Sequence, residues 1–395
     1  KQPKAMVIIG AGAIGVEFGY IYNAFGTEVT IIEMMPNLLP VEDDDVSDAI
    51  TKSYRNTGKD LVSSDNVKNI SVDDEIVNVE LLLKYPAANF HEELKGVVEE
   101  ALSKEGVNYS NISINSKIPS HETQGVEALP GVKNIIAVAS GKGGVGKSTT
   151  AVNLALALKS EGANVAILDA DIYGPSQPRM LGVKDLRPQE SEGGNMKPVM
   201  AHGLQSMSIG FLVDEASPMV WRGPMVTQAL EQLLKNTEWE DVDYMIIDMP
   251  PGTGDTQLTL SQKIPVSGAV IVTTPQDIAL IDAQKGLAMF EKVNIPILGI
   301  VENMSIHICS KCGHAEEIFG HGGGKDMAVD SKTNFLGALP LQLDIRTDVD
   351  EGTPSVAKDP DSQVTDMYQE IARKVAGILS LKNESVGAFP KITIE

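Results

Sequence analysis

Residues 140–150 read SGKGGVGKSTT, and they follow a continuous apolar run at residues 135–139. The segment fits the pattern G-x-x-x-x-G-K-[ST], and a helical stretch follows it at residues 151–159. In this strand–loop–helix context, glycines let backbone N–H groups turn toward phosphate oxygens, and the helix N-terminus adds the positive end of its dipole. The stretch therefore predicts a phosphate-binding loop at the start of an α/β domain.

The residues of this loop have expected partners on a nucleotide. Lys147 should reach the β- and γ-phosphates of ATP, and Ser148 should ligate Mg²⁺. The alternative, a Gly-rich turn without a ligand, leaves the flanking strand and helix without a reason. The other predicted nucleotide-binding positions in the loop are Gly141, Gly143, Gly144, Val145, Gly146 and Thr149.

Two carboxylates follow later apolar runs. Asp171 closes the DAD triplet that comes after the run at residues 165–168, and Asp248 ends the run at residues 244–247. Open α/β sheets bind ligands at the carboxyl ends of their strands, which is also where the phosphate loop lies. We predict that Asp248 holds Mg²⁺ through water. The alternative for either acid alone is a cap at a strand end.

Short apolar runs alternate with helical segments from residue 134 onward. Continuous apolar strands separated by helices are typical of a parallel sheet that is covered on both faces. The pattern predicts an α/β fold, a P-loop NTPase with a mostly parallel sheet, closed by a helix over residues 361–381. The runs lie at residues 135–139, 165–168, 244–247, 269–272, 297–301 and 335–339.

Composition limits the class of protein. The chain has 395 residues, which favours two or three domains, and 32 basic against 54 acidic residues give a net charge of −22. Such a charge repels nucleic acid and anionic membranes. We find no run of about 18 apolar residues and no secretory signal. We therefore expect a cytoplasmic protein that binds neither nucleic acid nor membrane.

The chain has two cysteines, Cys309 and Cys312, in a C-x-x-C pair. One such pair builds no disulfide framework, so a reducing compartment and a metal or redox role fit better. A thioredoxin-like role needs the pair at a helix start in a different fold. Zinc could take both thiolates and two of His307, His314 and His321. A [4Fe–4S] cluster needs four thiolates, which two chains would supply.

The two lysines of the loop, Lys142 and Lys147, resemble those of the MinD/ParA/nitrogenase-iron-protein class of dimeric ATPases. The resemblance implies that Lys142 reaches the nucleotide of a partner subunit and that Asp171 orients the attacking water. Lys142, Lys147, Asp171 and Asp248 are thus the predicted catalytic residues. Because a homodimer supplies four thiolates, it favours a bridging cluster on Cys309 and Cys312 over zinc.

The order of motifs is similar to that of the Mrp/ApbC family over about residues 59–381. This resemblance implies an ATP-hydrolysing carrier that transfers a [4Fe–4S] cluster from a homodimer to apo iron–sulfur proteins, with Asn303 at the adenine-reading position. The motifs are SGKGGVGKSTT (140–150), DADIYGPS (169–176), WRGP (221–224), DMPPGTGD (248–255), ENMS (302–305), CSKC (309–312) and FGHGGG (319–324).

Three further segments surround the ATPase domain, which we place at residues 131–381. Residues 59–114 resemble the small α+β iron–sulfur-assembly domain often found before this ATPase. Their loop YPAAN at residues 85–89 lacks the cysteine that members often carry there, so a thiol-dependent role is not supported. A linker is predicted at residues 115–130 and a tail at residues 382–395.

The first residues form a different pattern. VIIGAGAIG at residues 7–15 is a G-x-G-x-x-G turn after a strand, and Glu33 ends the next strand, where a ribose-binding acid belongs. Residues 1–57 resemble part of the NAD-binding domain of dihydrolipoamide dehydrogenase, a partial Rossmann βαβ unit. The redox cysteines, FAD domain and catalytic histidine of that family are absent. We expect a fused or chimeric chain with a vestigial front piece and a join near Gly58; the alternative is a working NAD-binding module.

Two other function classes remain as alternatives. A MinD/ParA-like regulatory ATPase with a structural zinc site would share the phosphate loop, but the cysteine pair and the lack of a basic amphipathic C-terminal helix argue against it. An NAD/FAD-linked disulfide oxidoreductase would share the front motif, but it lacks most of its fold.

Overall fold

The computed structural model describes the backbone of residues 5–9 and 28–32, and residues 61, 64–73, 76–104, 107, 109–121, 126–213, 223–309 and 311–386. Their contacts divide the chain into two units, residues 1–83 with 89–117, and residues 84–88 with 118–395. The division near Lys117 falls inside the predicted linker. The boundaries predicted for the three segments before residue 131 stay predictions.

The first unit contains two small sheets. Strands β1 (Ala5–Ile9) and β2 (Glu28–Ile32) pair in parallel, as a βαβ unit requires. The predicted glycine turn at residues 10–15, Glu33, and the helix expected at residues 47–57 lie outside the described residues.

The second small sheet of this unit has the order β3-β4-β5. β3 is antiparallel to β4, and β5 is parallel to it. Alternate residues of β4, Val79, Leu81 and Leu83, are buried, which is the pattern of a strand with one covered face. The elements are β3 (Val67–Asp73), β4 (Ile76–Leu83), a 3₁₀ turn (Ala88–Phe90), α1 (His91–Lys104) and β5 (Ser110–Ser116).

The second unit is built on an eight-stranded sheet with the order β15-β12-β11-β6-β10-β7-β9-β8. Every neighbouring pair is parallel except β8 and β9 at one edge. The strands are β6 (Val132–Ala139), β7 (Val165–Asp169), β8 (Val199–Ala201), β9 (Leu204–Ser208), β10 (Val242–Asp248), β11 (Gly268–Thr273), β12 (Ile297–Glu302) and β15 (Phe335–Ala338).

Both faces of this sheet are covered. Every residue of β7, β10 and β11 is buried, although successive side chains of a strand point to opposite faces. The predicted α/β P-loop NTPase fold is therefore confirmed. The helices are α2 (Lys147–Ser160), α3 (Gln177–Met180), α4 (Gly223–Lys235), α5 (Asp255–Lys263), α6 (Asp277–Lys292), α7 (Gly323–Asp330), α8 (Leu343–Asp350), α9 (Ser355–Lys358) and α10 (Gln363–Val386).

Some bounds differ from the sequence prediction. α2 begins at Lys147, not at residue 151, because Gly146 adopts a left-handed conformation that starts the helix at once. α10 runs to Val386, so residues 382–386 are helix rather than tail. The helix-stopping residues Gly387 and Pro390 come only after that point. A two-residue hairpin, β13 (His307–Ile308) with β14 (Ala315–Glu316), was not predicted.

No helix within the described ranges is long and apolar enough to cross a bilayer.

Candidate nucleotide and thiol sites

The phosphate loop connects the end of β6 to the start of α2 and is held in a left-handed turn. Gly144 and Gly146 have φ values of +84° and +83°, which favour glycine. A side chain on Gly141 would overlap the backbone of Asp282 in α6, so that glycine permits close packing. Val145 is buried, whereas Gly143 is exposed. The geometry is that of a loop whose backbone is free to face a ligand.

Lys147, Ser148 and Asp248 are brought together by adjacent elements, because α2 follows β6 and Asp248 ends the neighbouring strand β10. Lys147 Nζ makes an ion pair with Asp248 Oδ1 and donates to Ser148 Oγ at 3.2 Å. The side chains of Lys147 and Asp248 are 6% and 0% exposed. The loop thus holds a buried cation and a buried anion side by side.

Gln177, at the start of α3, joins this group although the sequence gave no sign of it. Its Nε2 donates to Asp248 Oδ2 at 2.8 Å and to the Ser148 carbonyl at 3.1 Å. Its Oε1 and the Ser176 hydroxyl are buried without a hydrogen-bond partner. Mg²⁺ prefers oxygen ligands and keeps several waters, which need such acceptors. The residues around Ser148 and Asp248 therefore fit Mg²⁺.

Asp169 organises the segment that follows β7. Its Oδ2 accepts hydrogen bonds from Ser176 N at 2.9 Å, Gln177 N at 3.1 Å and Ser208 Oγ at 3.1 Å. Burial, and next the charge of Asp248, raise its pKa to about 7. This residue shapes the segment that carries Asp171 and Gln177.

Asp171 lies two residues beyond β7 and is only partly buried. Its Oδ1 accepts from Gly174 N at 3.3 Å. Burial raises its pKa above the usual range of a carboxyl; the charge of Lys147 lowers the pKa and that of Asp248 raises it further. A carboxylate with a raised pKa is a better proton acceptor at neutral pH. The role of Asp171 in orienting water stays a prediction.

Lys142 is partly buried near the front of the loop, where its carbonyl accepts from Ser140 Oγ at 2.9 Å. Within the described ranges its ammonium group makes no ion pair. A charge that is uncompensated in its own chain is available to a ligand or a partner subunit, but that contact stays a prediction.

Asn303 connects β12 to the phosphate loop. Its backbone N–H donates to the Thr273 carbonyl at 2.7 Å, and its Nδ2 donates to the Val145 carbonyl at 2.8 Å. A side chain on Gly146 would overlap that amide. Thr149 lies in the first turn of α2, where its carbonyl accepts from Asn153 at 3.0 Å. The predicted nucleotide-binding residues therefore lie in one connected group.

The cysteine pair lies at the turn of the hairpin formed by β13 and β14. Cys309 N donates to the His314 carbonyl at 2.9 Å, and Gly313 N donates back to the Cys309 carbonyl at 2.8 Å. Both thiols are free; Cys312 is exposed and Cys309 partly so. Backbone N–H groups of Lys311 and then Cys312 lower the pKa of Cys309. The hairpin presents two accessible thiols, one of them favoured as thiolate.

The histidines do not complete a zinc site with these thiols. His307 Nδ1 bonds the Leu341 carbonyl at 2.9 Å, and His321 pairs with Glu317 at 3.1 Å. Among the residues that the structure describes, no group of three or more His, Cys, Asp or Glu side chains could hold a metal ion. The intrachain zinc alternative therefore lacks a ligand set in that part of the chain.

Known proteins resemble this chain along two segments. Residues 131–376 match the ParA family model described as NUBPL iron-transfer P-loop NTPase. Residues 5–84 match the pyridine nucleotide-disulphide oxidoreductase model, beyond the predicted join near Gly58.

The curated relatives share the ATPase segment. The iron-sulfur cluster carrier protein of Escherichia coli K12 is 53% identical over 79% of this chain and 85% of that protein. The iron-sulfur cluster transfer protein NUBPL of Mus musculus is 52% identical over 62% and 78%. A nucleotide-binding protein of Archaeoglobus fulgidus, solved with ADP, is 35% identical with a TM-score of 0.52, covering 59% of this chain and 90% of that one. The fold and the family are those of an ATPase, and the chain belongs to the NUBPL-type iron-transfer P-loop NTPases of the ParA family.

Proposed function

We propose that this chain is an ATP-dependent iron–sulfur cluster carrier, which binds a [4Fe–4S] cluster between two copies and transfers it to apo proteins. The observation that carries the proposal is the ligand count. The whole chain has two cysteines, both free and placed on one accessible hairpin. A [4Fe–4S] cluster takes four thiolates, which a twofold pair of hairpins would provide.

The nucleotide half of the proposal rests on the buried charges beside the loop. Lys147 is balanced by Asp248 in its own chain and would turn to the phosphates of ATP. Ser148 would ligate Mg²⁺ and Asp248 would hold it through water. When bound, Mg²⁺ neutralises charge on the β- and γ-phosphates. Asp171 would orient the water that attacks the γ-phosphorus, while the bridging oxygen leaves with ADP.

The proposed dimer gives Lys142 a role. Its ammonium group lacks an ion-pair partner within the described residues, and a partner's phosphates would supply one. The same association would bring two cysteine hairpins together. ATP binding and cluster binding would therefore draw on one dimer.

Anaerobic reconstitution with iron and sulfide tests the cluster. The protein should gain a broad absorbance in the blue and about two irons per chain, at the mass of a dimer. Cys309→Ser and Cys312→Ser should each abolish the colour, whereas His321→Ala should keep it. A colourless protein with one zinc per chain, or a full cluster on a monomer, would contradict the proposal.

Transfer needs a separate measurement. The loaded protein should restore activity to apo-aconitase under anaerobic conditions faster than free iron and sulfide do at the same concentration. The same rate in both reactions would leave a cluster-binding ATPase without carrier activity.

For the front piece, we propose that residues 1–57 are vestigial and bind no NAD. This rests on the absence of the FAD domain and redox cysteines of that family from the sequence. Calorimetric titration with NAD tests it, and an affinity in the micromolar range would contradict it.

A further inference from the structure

Two neighbouring side chains at the end of β12 point to different sites. Asn303 donates to the Val145 carbonyl of the phosphate loop at 2.8 Å. Glu302, which is 2% exposed, accepts through Oε2 from the N–H of Gly324 at 2.6 Å. Gly324 lies in the first turn of α7, directly after the segment that carries the cysteines. One dipeptide thus contacts the nucleotide loop and the far end of the cysteine segment.

The cysteine segment, residues 303–323, is fixed at its entry as well. Ser305 N donates to the Leu339 carbonyl at 3.0 Å, and Leu341 N donates to the Ile306 carbonyl at 2.7 Å. Leu339 N in turn donates to the carbonyl of Glu302 at 2.8 Å. The entry is therefore held by backbone pairing, and the exit is held by the Glu302 carboxylate.

The exit contact is tight. A Cβ on Gly324 would lie 3.0 Å from Glu302 Cβ and 3.1 Å from its Oε2. A Cβ on the preceding Gly323 would lie 2.6 Å from Leu280 and 3.0 Å from the Pro275 carbonyl. The glycines at the start of α7 therefore allow a close approach that fixes where the cysteine segment ends.

We propose that Glu302 is a positioning residue that couples the phosphate loop to the cysteine hairpin. The inference rests on the proposed function, since it assigns the contact between its two sites. A ligand that rearranges the loop changes the Val145–Asn303 bond, and a displacement of Asn303 carries the adjoining Glu302 and the N-terminus of α7. The hairpin between these fixed ends then changes the accessibility of its thiols.

The thiols report this coupling directly, because the chain has no cysteines besides Cys309 and Cys312. The rate of their reaction with 5,5′-dithiobis(2-nitrobenzoic acid) is measured on cluster-free full-length protein, with and without Mg²⁺ and the non-hydrolysable analogue AMPPNP. In the wild type, the nucleotide should change the rate by about fivefold or more, as in typical coupling between sites. By reciprocity, loading the thiols should change AMPPNP affinity by the same factor.

Four variants separate coupling from structure. Glu302→Leu removes the acceptor and should bring the rate ratio close to one while AMPPNP still binds. Glu302→Gln keeps an acceptor oxygen and should retain the ratio. Gly324→Ala disturbs the same contact from the other side, and it tests the proposal if Glu302→Leu does not fold. Glu317→Gln removes an exposed carboxylate of the same segment and should behave as the wild type.

The outcomes are distinct. A wild-type protein that binds AMPPNP with an unchanged thiol rate overturns the coupling and leaves the carrier function intact. Retention of the wild-type ratio by both Glu302→Leu and Gly324→Ala overturns the assignment to Glu302. A wild-type protein that binds no nucleotide overturns the proposed function together with the coupling.

Discussion

The phosphate loop and the cysteine hairpin belong to the same unit but are held in opposite ways. Around the loop, Lys147, Asp248, Gln177 and Asp169 are buried and bonded to one another. On the hairpin, two strands of two residues each carry free thiols into solvent. A site that stabilises charge gains from fixed, buried groups, whereas ligands of a cargo that must leave need to be reachable. The contrast predicts that substitutions in the two regions act on different properties.

Lys147→Ala should have the largest effect and act on the loop alone. Loss of a buried charged partner costs about 2–5 kcal/mol, so ATP affinity should fall by about 100-fold or more, measured by calorimetry. Asp248 would also lose its counter-charge, so the melting temperature should fall. Lys159→Ala removes an exposed lysine from the last turn of the same helix and should change neither. Tight ATP binding by Lys147→Ala would refute the phosphate assignment.

Gly146→Ala and Gly144→Ala compare strain with overlap in the same loop. Both place alanine at a φ near +84°, which costs about 1–2 kcal/mol. Only alanine at 146 also meets Asn303, since nothing lies within 4 Å of a side chain at 144. Urea unfolding should show a greater loss of stability for Gly146→Ala. Equal losses would mean that Asn303 moves away freely.

Asp169→Asn tests the buried acid through pH. The folded pKa of about 7 lies above the unfolded value of 3.8, so the folded state retains a proton that the unfolded state releases. The contribution of Asp169 to stability should fall as pH rises from about 4 to 7 and stay constant above that. The difference in unfolding free energy between wild type and variant should change by about 1 kcal/mol or more across this window. A difference independent of pH would mean that the buried carboxyl keeps an ordinary pKa.

The double variant Cys309→Ser, Cys312→Ser should have the smallest effect on stability. The thiols are accessible, and surface substitutions usually change the unfolding free energy by less than about 0.5 kcal/mol. Urea unfolding of the cluster-free protein should therefore match the wild type, and ATP affinity should too. A large loss of stability would show that the hairpin belongs to the packed core.

The central strands were predictable because they are continuous apolar runs. Strands β8 and β9 escaped prediction, since Leu204–Ser208 reads LQSMS and has no such run. These strands lie at the sheet edge, where pairing with β7 decides their structure. The hairpin strands of two residues are likewise set by tertiary contacts and carry no periodicity.

The site was predictable where a motif fixes spacing along the chain. Lys147 and Ser148 adjoin in sequence, and Asp248 ends an apolar run, so their meeting follows from a parallel sheet. Gln177 and Glu302 could not be found in this way. Their bonds to Asp248 and Gly324 depend on how separate elements pack, which one sequence does not reveal.

The Lys147–Asp248 ion pair has a consequence for how the loop admits its ligands. When Lys147 turns to a phosphate, Asp248 is left as a buried anion with only the amide of Gln177 beside it, and an uncompensated buried charge costs several kcal/mol. A divalent cation arriving with the nucleotide restores the balance, whereas ATP alone or the cation alone does not. The empty site is therefore a coincidence detector, set by electroneutrality to respond to the metal–nucleotide complex rather than to either component.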